Sequence, residues 1–139
     1  MNQSFKYTLV ILAFILLSKA TAGSANVLID KEFSLGIGQT TSVEGEKLVI
    51  KFKAVLEDSR CPINVVCVWA GNGKVEFEVL DTDGQNKSVI LNTEEEPKYV
   101  TLKKHKLKLI SLNPPRVDGV SISPGDYSVT LLIERKPAN

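Results

Sequence analysis

The chain has 139 residues, with 17 Lys and Arg against 16 Asp and Glu and a formal net charge of +1. This balance gives no overall electrostatic attraction to nucleic acid or to an anionic membrane, so we expect no nucleic-acid partner. The length suits one domain, which we place at residues 23–139 as a single β domain behind a signal peptide at residues 1–22.

The first residues have the pattern of an export signal. Lys6 supplies a positive charge, residues 9–17 are an unbroken apolar run, and Ala20 and Ala22 place small residues at the positions that a signal peptidase accepts. We expect cleavage after Ala22, with Ala25 as the alternative. The apolar run is shorter than the roughly 20 residues of a transmembrane helix, although an uncleaved anchor is a second interpretation. The sequence therefore predicts an exported protein, periplasmic or extracellular, without stable membrane insertion after cleavage.

Apolar and polar residues alternate along most of the remaining chain, which is the pattern of strands with one buried face. A turn at Glu44-Gly45-Glu46 separates the first two predicted strands, and Asp81-Thr82-Asp83-Gly84 closes the clearest hairpin. The predicted strands cover residues 33–37, 47–56, 74–79, 87–91, one or two segments within 99–112, and 127–133. Residues 113–116 and 123–126 read as loops, and residues 1–30 and 135–139 as poorly ordered ends.

These segments predict an all-β fold with little helix, a single small antiparallel β-sandwich or β-barrel of seven to eight strands with one disulfide-closed loop. The alternation does not choose between sandwich and barrel. The residues expected to point into one shared core are Phe33, Leu35, Ile50, Phe52, Leu56, Val75, Phe77, Val79, Tyr127, Val129 and Leu131.

The only two cysteines, Cys61 and Cys67, lie close together in the sequence of a chain with an export signal. Thiols this close are normally joined in an oxidising compartment, so we expect a structural disulfide. A metal site is disfavoured because a closed zinc site needs four suitable ligands. A redox pair is disfavoured because dithiol catalysts use a tighter spacing at a helix start. We predict no metal and no cofactor.

The segment around this ring carries the predicted binding residues. Trp69 has two interpretations: its ring covers one end of the core, or it is an exposed aromatic anchor for a partner. Asp58 and Arg60 flank the ring, where an ion pair or backbone hydrogen bonds would hold the loop. We predict a binding surface made of Arg60, Pro62, Val65, Val66, Val68 and Trp69.

The single histidine, His105, lies among lysines, and we expect it at an exposed strand or loop position. No nucleophile or orienting carboxylate is nominated for it, so we predict that the protein is not an enzyme. The lysines of residues 103–108 follow an acidic run at residues 94–96, and we expect weak, solvated charge pairing between the two. The alternative is a patch that contacts anionic glycans or an anionic surface.

Residues 58–71 resemble a family of small exported bacterial β proteins with a DSRCPxxVxCxWAG signature, and a looser similarity extends over the domain. Members are mostly of unassigned function. Some similar small secreted proteins inhibit proteases by presenting a disulfide-braced loop, which would correspond here to residues 61–71. Ile63 and Asn64 depart from the pattern, where a more acidic or glycine-containing pair is expected.

The predicted function is that of a non-catalytic exported binding protein whose rigid disulfide loop, residues 61–71, meets another protein. Inhibition of a secreted or envelope protease is its most specific form. Its physical advantage is that a loop already rigid before binding loses little conformational entropy. The alternative is a structural or envelope-assembly β module that uses a sheet edge and has no dedicated loop site.

Overall fold

The structure is a computed structural model that describes residues 25–137, so the predicted signal peptide lies outside the described residues. Residues 25–137 contain nine strands, one 3-10 turn at Pro124–Asp126 and no α-helix. The all-β prediction is confirmed. In chain order the strands are β1 (Asn26–Val27), β2 (Glu32–Gly36), β3 (Thr40–Val43), β4 (Val49–Asp58), β5 (Gly73–Leu80), β6 (Asn86–Asn92), β7 (Tyr99–Thr101), β8 (His105–Asn113) and β9 (Ser128–Arg135).

The strands form two sheets. One sheet has the order β1-β3-β4-β5-β6 and the other the order β2-β9-β8-β7. Every pairing is antiparallel except that of the short β1 with β3. Neither sheet closes into a barrel, so each keeps two edge strands. One edge of the five-stranded sheet is β6, and one edge of the four-stranded sheet is β7.

Side chains from both sheets bury into one apolar cluster. Phe52 on β4 and Phe77 on β5 are fully buried neighbours with ring centroids 5.5 Å apart. Eight of the predicted core residues are buried, namely Leu35, Ile50, Phe52, Val75, Phe77, Val79, Val129 and Leu131. Phe33 and Tyr127 are half-buried at the margin of this cluster.

The prediction for Leu56 is wrong, since 48 % of this residue is exposed. The pairing of β4 with β5 is irregular between Phe52 and Ala54 and again between Val55 and Glu57. An extra residue on one strand of a pair moves the following side chains to the opposite face. The second half of β4 therefore leaves the alternation that its first half obeys.

Two strands were not predicted, β1 and β3. Both carry few apolar residues, and β1 begins in the part of the chain expected to be poorly ordered. Thr41 on β3 is buried and its hydroxyl donates to the carbonyl of Ala25 at 2.6 Å, so a polar side chain fills a core position here. Residues 124–126, predicted as loop, form the 3-10 turn.

The expectation of an exposed His105 is also wrong. It is the first residue of β8 and is fully buried, on the same face as the core residues Leu107 and Leu109. Its Nε2 lies 3.6 Å from Oε1 of Glu46, and Arg135 donates to the same oxygen at 3.1 Å. Within residues 25–137, no lysine of residues 103–108 forms a salt bridge with the acidic run at residues 94–96, so the expected pairing is absent there. The acidic run instead meets Lys98, whose Nζ lies 3.8 Å from Glu94.

Candidate functional site

The segment Cys61–Gly71, here called the disulfide loop, is the tip of the hairpin formed by β4 and β5. The backbone ladder continues past both strands, because Ser59 N donates to Asn72 O at 2.8 Å and Cys61 N to Ala70 O at 2.7 Å. The predicted disulfide is confirmed, with the sulfurs of Cys61 and Cys67 bonded at 2.08 Å. The loop is therefore closed twice, once by backbone hydrogen bonds at its base and once by a covalent ring.

Gly71 lets the two sides of the hairpin meet at this base. Its φ is +70°, and a Cβ at this position would lie 1.8 Å from the carbonyl oxygen of Ser59. A left-handed backbone conformation favours glycine, and the contact with Ser59 excludes any larger residue without backbone movement. The glycine therefore permits a close approach as well as a turn.

Arg60 ties the base of the loop to the other sheet. Its Nε and Nη2 donate to the two carboxylate oxygens of Asp58, each at 2.7 Å, which is the bidentate geometry that guanidinium and carboxylate favour. Nη2 also donates to the carbonyl of Pro114 at 2.9 Å, and Nη1 donates to the carbonyl of Leu112 on β8. The predicted role of Asp58 and Arg60 in holding the loop is therefore present in the structure.

The electrostatics of Asp58 reflect this contact. Burial alone would raise the pKa of its carboxyl group, but hydrogen bonds from Arg60 and the charge of Arg60 outweigh it, so the pKa lies below its ordinary value. Tyr127 donates its hydroxyl to the same carboxylate at 3.1 Å. Burial and this hydrogen bond raise the pKa of Tyr127. In the folded protein at neutral pH the Asp58 carboxylate is therefore charged, and hydrogen bonds from both Arg60 and Tyr127 hold it in place.

A second set of contacts joins the disulfide loop to the loop that follows β8. Ile63 N donates to Arg116 O at 2.9 Å, and Asp118 N donates to the side-chain oxygen of Asn64 at 2.8 Å. The guanidinium of Arg116 donates in turn to the carbonyl of Arg60 at 2.7 Å. These bonds anchor the first half of the disulfide loop against a separate part of the chain.

Asn72 holds the other side of the base, and the sequence analysis treated it only as part of a small-residue turn. The residue is buried, and its amide nitrogen donates to the side-chain oxygen of Asn92 at 2.8 Å. Its own side-chain oxygen accepts from Glu94 N at 3.2 Å. The only sequence feature that marks Asn72 is its position between two glycines. Because this pattern is common in exposed turns, it does not indicate a buried residue.

The tip of the disulfide loop exposes its apolar side chains. Trp69 is 80 % exposed and Val68 87 % exposed, so the interpretation of Trp69 as a cover over the core is wrong. Ile63, which was not among the predicted binding residues, is 70 % exposed, Val66 is fully exposed and Val65 is partly so. This cluster of Ile63, Val65, Val66, Val68 and Trp69 is called the apolar tip below.

The predicted binding residues therefore divide into two groups. Val65, Val66, Val68 and Trp69 belong to the exposed apolar tip, whereas Pro62 is half-buried. The side chain of Arg60 is only 14 % exposed and is used in the internal contacts just described. The structure brings the apolar members together on one loop and places Arg60 beneath them.

A groove of about 460 Å³ lies at the base of the disulfide loop. Its lining includes Asp58 and Tyr127 together with Val55, Leu56 and Ile122. The outward turn of Leu56 caused by the irregular pairing of β4 supplies one apolar wall. The groove and the apolar tip share no lining residue, so they are two separate apolar features of this end of the hairpin.

The composition of the disulfide loop limits its chemistry. From Cys61 to Gly71 the sequence contains no acidic, basic or hydroxyl side chain, and both sulfurs are bonded to each other. Such a surface suits contact with apolar groups and offers no side chain that could act as a general acid, a general base or a nucleophile. Residues 25–137 hold no cluster of three metal-ligating side chains. In the same part of the chain, no helix has the length and apolar character needed to cross a membrane.

Comparison of the chain with protein-family models, with curated proteins and with solved structures finds no match. The resemblance of residues 58–71 to the DSRCPxxVxCxWAG signature therefore stays a prediction.

Proposed function

We propose that this protein is an exported, non-catalytic binding protein that meets another protein through the apolar tip of its disulfide loop. The observation that carries the proposal is the exposure of five large apolar side chains on one short loop, three of them inside the covalent ring and two, Val68 and Trp69, directly after it. Contiguous apolar surface on a folded domain is characteristic of interaction sites, because it gains free energy only when a partner removes it from water.

The rigidity of the loop supports the same function. A flexible loop loses conformational entropy when it binds, typically about 0.5–1.5 kcal/mol for each immobilised side chain, whereas a preorganised loop has lost part of that freedom on folding. Here the disulfide, the contacts of Arg60 and the bonds from Arg116 and Asp118 restrain the backbone. A large aromatic side chain on such a base is the usual form of a binding hot spot.

Two further elements belong to the proposal. The two sheets pack face to face as a β-sandwich around their shared core, with the disulfide loop at one end. The protein is exported to the periplasm or the cell exterior, which the predicted signal and the presence of a disulfide support.

The test is capture with matched baits. The wild-type protein, a Trp69→Ala variant and a Leu28→Ala control are immobilised and exposed to envelope and culture fractions. Leu28 is a half-exposed apolar residue outside the disulfide loop, so its truncation removes exposed apolar surface without changing the apolar tip. We expect a protein that is enriched on the wild type and on the Leu28→Ala bait but depleted on the Trp69→Ala bait. Equal enrichment on all three would contradict the proposal.

The most specific form of this function is inhibition of a secreted or envelope protease. It is tested by titrating secreted serine, cysteine and metalloproteases with the protein and measuring residual activity. We expect tight, saturable inhibition of one protease that Trp69→Ala weakens. Cleavage within the disulfide loop without inhibition would remove the inhibitor form and leave the binding function in place.

A further inference from the structure

A second groove lies between the open edges of the two sheets. The chain passes from β6 to β7 through residues 93–98, and Asn92 N donates to Pro97 O at 2.9 Å across this connection. Beyond this bond the strands line a groove of about 470 Å³. The groove has β6 as one wall and β7 as the other, and its lining includes Ser88, Val89, Ile90, Pro97, Tyr99 and Thr101.

The backbone of β7 directs unpaired groups into this groove. Leu102 N donates to His105 O at 2.7 Å across the β7–β8 hairpin. Bonded and non-bonded residue pairs alternate along an antiparallel ladder. Counting back from Leu102, Thr101 and Tyr99 occupy non-bonded positions toward β8. Their N–H and C=O groups therefore point away from β8, to the side where the sheet has no further strand.

The facing wall has the same property. Thr93 N donates to Gly73 O at 3.0 Å across β5 and β6. By the same alternation, Ile90 and Ser88 direct their N–H and C=O groups away from β5. Exposed strand edges of this kind pair readily with another extended chain, which is why natural proteins often cover or interrupt them.

Lysines of the β7–β8 hairpin lie next to the β7 wall, although they are not among the residues that line the groove. The lysines of this hairpin are Lys98, Lys103, Lys104, Lys106 and Lys108. Among residues 25–137, Nζ of Lys98 pairs with Glu94, whereas no carboxylate oxygen lies within 4.0 Å of Nζ of the other four. The backbone N–H of Lys103 donates to the carboxylate of Asp81 at 3.1 Å. Nζ of Lys106 instead lies 3.8 Å from the centre of the Tyr99 ring. Glu96 also lines the groove, beside Pro97 at its closed end.

Apolar contacts are available on both walls. Tyr99 on β7 and Ile90 on β6 are 44 % and 43 % exposed, although each belongs to a strand. An extended segment paired with Tyr99 and Thr101 would place alternate side chains beside these two residues. On that face Lys106 of β8 reaches across to the Tyr99 ring, so acidic side chains of the segment would complement its charge.

We infer that this groove binds an extended, acidic segment of a partner protein, which adds to the four-stranded sheet as a new strand along β7. Backbone hydrogen bonds to Tyr99 and Thr101 supply the pairing, and the lysines select for acidic side chains. The inference does not depend on the function proposed for the disulfide loop, since it uses other residues.

The test uses a blocked synthetic peptide of alternating Glu and Val and a control peptide of alternating Lys and Val. Each is titrated into the ¹⁵N-labelled protein and followed by NMR. We expect the acidic peptide to shift the amide signals of Tyr99 and Thr101 and to slow their hydrogen exchange. The basic peptide should do neither.

Two proline variants locate the new strand. Thr101→Pro removes an N–H that faces the groove and leaves the ladder with β8 intact, since edge positions tolerate proline. Ser88→Pro does the same on the opposite wall. We expect Thr101→Pro to weaken binding of the acidic peptide by about tenfold or more, as the loss of a hydrogen bond with a steric block implies, and Ser88→Pro to leave it within about twofold.

A charge variant, Lys106→Gln with Lys108→Gln, keeps the test open should Thr101→Pro not fold. It should weaken the acidic peptide and leave the spectrum of the free protein otherwise unchanged. Three results would overturn the inference. The first is loss of peptide binding in Ser88→Pro alone, and the second is displacement of the acidic peptide by inorganic polyphosphate together with full binding in Thr101→Pro. The third is edge-to-edge dimerisation of the protein in sedimentation, with no protection of the Thr101 amide by the peptide.

Discussion

Replacing Gly71 by alanine tests how closely the two sides of the hairpin meet beneath the disulfide loop. The matched control is Gly84→Ala in the turn between β5 and β6. Both glycines have a positive φ, +70° at Gly71 and +80° at Gly84, so alanine at either position carries the cost of a left-handed conformation, about 1–2 kcal/mol. Only at Gly71 does the new methyl group also meet other atoms.

The additional cost at Gly71 follows from the distances. The methyl carbon would lie 1.8 Å from the Ser59 carbonyl oxygen, whereas nothing lies within 4 Å of the corresponding position at Gly84. Non-bonded carbon atoms prefer separations of about 3.5–4.0 Å, so the backbone at residues 59–61 has to move away. That movement breaks the bonds from Ser59 N and Cys61 N, each worth about 0.5–1.5 kcal/mol. The sum is about 2–5 kcal/mol.

The assay is equilibrium urea unfolding followed by far-UV circular dichroism, with the disulfide kept oxidised. We expect Gly71→Ala to lose about 2–5 kcal/mol of unfolding free energy and Gly84→Ala about 1–2 kcal/mol. Equal losses in the two variants would refute the close approach at Gly71, and with it the description of the loop base as tightly held.

Three further predictions concern the core, the buried carboxylate and the bridge. Phe52→Ala should lower the unfolding free energy in urea by about 3–5 kcal/mol, while Ile110→Ala on the exposed face of β8 should lower it by less than about 1 kcal/mol. Equally small losses in both variants would mean that the register of β4 is misassigned. Because Arg60 lowers the pKa of Asp58, the stability from this carboxylate is full above its unfolded pKa and is lost as the pH falls through its folded pKa. Thermal melts of Asp58→Asn between about pH 5 and pH 2 should therefore show a shallower acid loss than the wild type, and parallel curves would contradict the role of this pair. Reduction of Cys61–Cys67 should lower the unfolding free energy by about 2 kcal/mol while the transition stays cooperative, and either no change or complete unfolding would speak against local bracing.

The sequence predicted the elements whose side chains alternate cleanly. Val75, Phe77 and Val79 are all buried on β5, as their spacing indicates, and the turn after this strand leads to β6 as expected. The disulfide was predictable from two neighbouring cysteines and a predicted export signal. In these cases the local pattern and the three-dimensional environment agree.

The failures arise where the environment is set by distant residues. Leu56 obeys the alternation, yet the irregular pairing of β4 turns it outward. His105 lies among lysines but occupies a core position of β8, which only the strand register reveals. The exposure of Trp69 could not be derived from the sequence, because an aromatic residue beside a disulfide is equally compatible with a buried cover.

The contacts that hold the disulfide loop were only partly predictable. Asp58 and Arg60 are close in sequence, so an ion pair between them could be proposed. The hydrogen bond from Tyr127 to Asp58 joins residues more than sixty positions apart. It depends on how the two sheets lie against each other, so no local sequence pattern indicates it. The same holds for the bonds from Arg116 and Asp118.

The central claim is that the apolar tip of the disulfide loop binds a partner without being needed for folding. The most direct measurement is the dissociation constant of the captured partner for wild type, Trp69→Ala and Leu28→Ala, with thermal unfolding of each protein measured in parallel. We predict that Trp69→Ala weakens binding by more than about 2 kcal/mol, roughly thirtyfold, while its melting transition stays cooperative and close to that of wild type. Normal binding by a folded Trp69→Ala variant would show that the disulfide loop is scaffolding and that the binding surface lies elsewhere.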